Sequence, residues 1–172
     1  MGSIVQKLEG GDRRSIGRAD EVVTDVLADL SLFKELFHGM LSDDPVIGMR
    51  SADAIEKITA KHPEYLEPFR TELIQQVARS EQQEVRWHVA QMLPRLALTP
   101  EERNAVVDIL MGYLEDTSKI VKTFSMQSLA DLAETDSKLR SQVTPLLEEL
   151  TQTGSPAMRS RGRKLLKKLG VA

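Results

Sequence analysis

One amphipathic helix is written four times into this chain, and that repetition limits the fold more than any other feature. The segments Pro45–Ile58, Gln83–Leu96, Lys119–Leu132 and Pro156–Leu169 align without gaps. With Ile47, Val85, Val121 and Met158 as equivalents, the spacings are 38, 36 and 37 residues. A fixed period of this length marks stacked supersecondary units, because one unit cannot bury its apolar face alone. Further columns repeat in register: Ser51/Val89/Ser125/Gly162, Ala54/Met92/Ser128/Leu165, Ile55/Leu93/Leu129/Leu166 and Ile58/Leu96/Leu132/Leu169. These positions fall on one stripe of a helix. The small residues of the Ser51 column permit close approach of a neighbouring helix.

The same alignment supplies helix starts. Asp44, Ser118 and Ser155 share an N-cap column, Pro45 and Pro156 share the next position, and Gln82 is the weak cap. A second amphipathic segment precedes each copy: Leu32–Leu41, Pro68–Ala78, Pro100–Leu114 and Lys138–Leu150. Thr99-Pro100-Glu101-Glu102 reads as a capping box, and Pro145 is expected to kink or restart its helix. Short connections make the paired helices antiparallel neighbours. Glu21–Leu30 reads as a capping helix, separated by Gly10-Gly11-Asp12 from a frayed start. Aromatic residues are only 4% of the chain and no strand period is found, so all-α is the expected class.

Asp44-Pro45-Val46-Ile47, the basic residues Arg86, Lys122 and Arg159, and the Ala/Leu pattern behind them resemble HEAT repeats. The likeness is to the short HEAT-like repeats of uncharacterised bacterial proteins and phycobilisome lyase-like domains. It spans Leu32–Leu169, and Gly48 departs from the basic column. The resemblance implies a right-handed α-α superhelix, a solenoid of about four helical hairpins at 31–62, 63–98, 99–135 and 136–170, behind an N-terminal segment and capping helix in 1–30. Residues 31–172 are then one continuous domain. Fold and function are separable here, because such arrays serve many unrelated binding roles.

In such a stack the second helices line the concave side. Positions opposite the core stripe are Met49, Asp53, Glu56, Trp87, Gln91, Thr123, Gln127, Ser160, Lys164 and Lys167, the expected binding surface. Trp87, the only tryptophan, reads either as an interface anchor or as core edge packed on Met49. Pro94 leaves the Ala90 carbonyl without its helical donor, or simply ends the helix. The run Arg159, Arg161, Arg163, Lys164, Lys167 and Lys168 contains no acid, so the remainder of a chain of net charge −3 is strongly acidic. That basic patch could meet phosphate or an acidic protein, or serve as a solvated cap.

The absence of cysteine excludes disulfides and thiolate chemistry, and His38, His62 and His88 lack ligand spacing. Neither a phosphate loop nor a nucleophile motif occurs, so no catalytic, cofactor or metal site is expected. No apolar run can span a bilayer and residues 1–10 lack a signal-peptide core, making a cytoplasmic location the expectation. The leading reading is a non-catalytic scaffold or adaptor for another protein or peptide. Nucleic-acid binding through the basic last repeat, as in HEAT-like alkylpurine DNA glycosylases, and an accessory role similar to bilin lyases are the alternatives.

Overall fold

The computed structural model describes residues Gly2 to Val171. Among them the α-helices are α1 (Ala19–Ala28), α2 (Phe33–Gly39), α3 (Pro45–Lys61), α4 (Arg70–Gln75), α5 (Gln83–Met92), α6 (Pro100–Tyr113), α7 (Lys119–Ala133), α8 (Ser137–Thr153) and α9 (Pro156–Lys168), with no strand. The four copied segments are α3, α5, α7 and α9. Their starts follow the cap column: Asp44 accepts from the Val46 N–H, Ser118 from Val121 and Ser155 from Met158, whereas Gln82 makes no side-chain cap. Thr99 and Glu102 complete the capping box at α6. The basic column ties down the turn before the helix: Arg86 donates to the Ser80 and Glu81 carbonyls and Arg159 to that of Gly154.

The chain divides into two compact units, Met1–Ala97 and Leu98–Ala172. In the first, α3 is central, with α1, α2 and α5 against it. Its leading helices are shorter than the sequence pattern suggests. The span Pro63–Phe69 is a 3-10 helix, α4 has six residues, and Val77–Arg79 is again 3-10. Pro63 and Pro68 lack the N–H that an α-helix would use, so the chain takes the tighter form. Phe33, Phe37 and Phe69 fill the space beside these turns, with Phe37 and Phe69 stacked at 4.7 Å. The expected frayed start is instead a 3-10 helix, Ile4–Leu8, because Ile4 and Leu8 bury against the helices and Lys7 pairs with Glu21 and Asp25.

In the second unit α7 packs on α6, α8 and α9. Helix α8 runs without interruption through Pro145, contrary to the expected restart. Pro145 and the Ser141 carbonyl that loses its donor both lie on the exposed side, where water can take the acceptor. Gly162 sits in the small column because a methyl there would overlap Thr151 Oγ1 of α8. Ser51, in the same column of α3, faces Gly39 in the same manner.

Candidate functional site

The face of α3 opposite its core stripe is where the structure departs most from a simple helical wheel. Met49 was expected to be exposed and is 7% accessible. The cause is the segment between the first 3-10 helix and α1, whose residues Arg13 to Ile16 line a cavity together with Met49, Arg50, Asp53, Trp87 and His88. Residues more than thirty positions upstream thus supply a wall of the α3 and α5 face.

Arg50 holds that wall. The residue is 3% exposed, and its guanidinium donates through Nη1 to the carbonyls of Leu8 and Gly10, both at 2.7 Å, and through Nε to that of Ser15 at 3.0 Å. A longer bond from Nη2 reaches the Asp12 carbonyl at 3.2 Å. Carbonyl dipoles converging on a buried cation replace the water it has lost. The loop can close this tightly because Gly17 has φ +54° and a Cβ there would lie 2.7 Å from Arg50 Cζ.

The cavity measures about 290 Å³. Its apolar lining is Ile16, Met49 and Trp87, with Trp87 half-buried and its ring 5.8 Å from that of His88. The His88 Nδ1 atom is buried and has no hydrogen-bond partner within the chain. Burial pushes the His88 pKa below its ordinary value, outweighing the opposing fields of Asp53 and Glu56. The carboxylates on this face are already engaged: Asp53 contacts Lys57 Nζ at 2.7 Å, Lys57 also bonds Asp20, and Glu56 pairs with Arg95 at 2.5 Å. Gln91 donates back to the Trp87 carbonyl. The guanidiniums at the rim are looser. Arg13 lies 3.7 Å from Glu84 with its side chain 56% exposed, and Arg14 lies 3.8 Å from Asp12 and is 93% exposed.

In the second unit Thr123 bonds its own helix at the Lys119 carbonyl, and Gln127 is held between Asp131 and Arg161. Ser160, Arg163, Lys164 and Lys167 are exposed. Lys168, in contrast, pairs with Asp131 and Glu134. The basic run therefore splits into residues that bind the unit to itself, Arg159, Arg161 and Lys168, and three cations, Arg163, Lys164 and Lys167, with no ion pair among the described residues. A polar groove of about 320 Å³ between α6 and α8 is lined by Arg103 and Asp136, which bond each other. Asp136 also caps α8 and Arg103 caps the Leu132 carbonyl, so this pair secures helix ends.

The helical wheel identified Trp87, Asp53 and Met49 as one face but missed Arg13, Arg14, Ile16, Arg50 and His88. The clustered Gly10, Gly11 and Gly17 were the available signal for a loop that must approach another element closely. Among the described residues no group of His, Asp and Glu has the arrangement of a metal site, and no helix is long and apolar enough to cross a membrane.

Repeated helix pairs with a cavity on the second-helix face define an all-α helical-repeat protein of the solenoid class. The model of the HEAT repeat domain matches residues 6–169, and the chain belongs to that family. No curated protein matches it. Similar solved structures include an engineered protein from the Northeast Structural Genomics Consortium, with TM-score 0.65, 18% identity, and coverage of 97% of this chain and 78% of that one. A designed armadillo repeat protein matches with TM-score 0.62, 14% identity and coverage of 97% and 85%. A computationally designed armadillo repeat protein for modular peptide recognition matches with TM-score 0.62, 13% identity and coverage of 95% and 79%. At these identities the likeness establishes the fold alone.

Proposed function

We propose that this chain is a non-catalytic scaffold that binds a protein or peptide segment at the α3 and α5 face of its first unit. The observation that carries the reading is the cavity of about 290 Å³ in which the sole tryptophan, an apolar lining and an unpartnered buried His88 nitrogen meet. An aromatic anchor within an apolar depression, flanked by arginines, has the composition of an interaction hot spot. One structural neighbour was designed for modular peptide recognition, which is consistent with this use of a repeat surface. Of the rest of the expected row, Gln91 shares this unit and serves as a secondary contact.

Because Trp87 is unique, its emission reports on the site directly. A random decapeptide library selected on the immobilised protein is expected to yield peptides that shift Trp87 emission and lose binding to an Ile16→Glu variant. Ile16 lies on an exposed loop, so that substitution fills the cavity mouth without touching the helical core. Selected peptides that bind Ile16→Glu and Trp87→Ala proteins as well as the parent would remove the site from this face.

A further inference from the structure

We infer that the segment docking in the Trp87 cavity is acidic and carries a single apolar anchor residue. This rests on the binding reading above and deepens it by naming the chemistry of the occupant. The cavity volume of about 290 Å³ lies at the low end of small-molecule pockets, enough for one aliphatic or aromatic side chain. Ile16, Met49 and Trp87 form the apolar lining on which such a side chain buries.

Charge decides what flanks that anchor. The carboxylates close to the cavity are each matched within the chain: Asp53 by Lys57, Glu56 by Arg95, and the largely buried Glu84 by Arg13 at 3.7 Å. The buried Arg50 is occupied by backbone carbonyls. What faces outward is the pair Arg13 and Arg14, with side chains 56% and 93% exposed, whose ion pairs at 3.7 and 3.8 Å are long, although the Glu84 carboxylate beside Arg13 is itself largely buried. Contacts of that kind hold a guanidinium weakly, so its donors remain open to a carboxylate that can be engaged bidentately.

A basic rim is notable in a unit that holds 12 Lys and Arg against 16 Asp and Glu. The local sign is opposite to that of the surroundings. An acidic peptide is drawn to the rim, while a polyanion that must track a long surface meets repulsion beyond it. The rim is also held before binding, since Arg50 clamps residues 8 to 15 from beneath. A preordered cationic loop spares the complex the entropy of arranging it.

The test uses the full chain and blocked decapeptides with a central Leu flanked by Glu and Asp, by Lys and Arg, or by Ser and Gln, with oligo-dT as a further arm. Trp87 emission is titrated with each. The acidic Leu peptides are expected to saturate, to weaken at least several-fold between about 50 and 300 mM salt, and to weaken about tenfold or more for an Arg13→Glu, Arg14→Glu protein. Replacing the central Leu with Ser is expected to abolish the shift. Because Arg13→Glu sets a second carboxylate beside the largely buried Glu84, folding of the double variant is checked by circular dichroism and a melting curve, and an Arg14→Glu single variant, which leaves that pair intact, is expected to weaken the acidic peptides in the same direction. If basic or neutral peptides shift Trp87 and acidic ones do not, or if oligo-dT binds more tightly than the acidic peptides, this inference is overturned while binding at the cavity stands. If no peptide in the series or the library perturbs Trp87, the binding reading itself is lost.

Discussion

Arg50 illustrates how a charged side chain can be structural without a counter-ion. Its four bonds go to the backbone carbonyls of Leu8, at the end of the first 3-10 helix, and of Gly10, Asp12 and Ser15 in the loop that follows. Only the Leu8 carbonyl bond is fully buried, so the other acceptors can return to water when the guanidinium is removed. An Arg50→Met protein is therefore expected to lose about 2 to 4 kcal/mol in urea denaturation, rather than the sum of four charged bonds. The sharper sign is local: trypsin should cut after Arg13 and Arg14 much faster than in the parent while α7 to α9 remain resistant. His88 offers a pH test. Asp53, Glu56, Lys57 and Arg95 all act on it, but burial dominates and lowers its pKa from the ordinary 6.5. The unfolded chain then takes up the proton first on acidification. Stability from this group is complete above about 6.5 and is lost as pH falls through the lower folded value. Melting temperatures of parent and His88→Gln proteins between about pH 7.5 and 5 should show a shallower acid decline in the variant.

At the scale of elements, the second helices were readable because each column is buried by the same neighbours in every copy. Ser51, Val89, Ser125 and Gly162 are all buried, as their alignment demanded. Leading helices of the first unit were not readable to the same degree, since Pro63 and Pro68 turn an amphipathic pattern into 3-10 segments that retain the apolar contacts. The site was half legible for a related reason. A wheel compares positions on one helix, whereas Met49 is covered by a loop and Arg50, on the flank of the stripe, is hydrogen-bonded by backbone carbonyls of residues 8 to 15. Gly162 gives the element-scale prediction. A Cβ there would overlap Thr151 Oγ1, so Gly162→Ala is expected to cost about 1 to 3 kcal/mol despite the higher helix propensity of alanine. Thr151→Ala in the same chain removes the overlapping oxygen. A double-mutant cycle by urea denaturation should then show a favourable coupling of about 1 kcal/mol or more, and additivity would mean that the α8 and α9 contact is not set by this pair.

The whole molecule carries its stability in a distributed form. Each compact unit has two of the repeated second helices and its own core, Phe37, Ile55 and Leu73 in the first and Leu110, Met126 and Leu129 in the second. Repeat arrays sum intrinsic unit stabilities and nearest-neighbour terms, so a local lesion need not weaken every helix equally. Gly162→Ala places the lesion between α8 and α9, among the last elements of the chain. Amide hydrogen exchange followed by mass spectrometry is expected to show the largest loss of protection in α8 and α9, a smaller loss in α7, and little change in α3. The expected contrast is Arg50→Met, which should raise exchange in Ile4–Leu8 and the following loop before it reaches α5. Uniform loss of protection across α3 to α9 in the Gly162→Ala protein would instead mean that all four helix pairs open as one cooperative body. Peptide affinity at Trp87 supplies an independent reading of the same question. If the units open separately, a lesion at Gly162 leaves that affinity within about twofold of the parent's under conditions where α9 has already lost its protection.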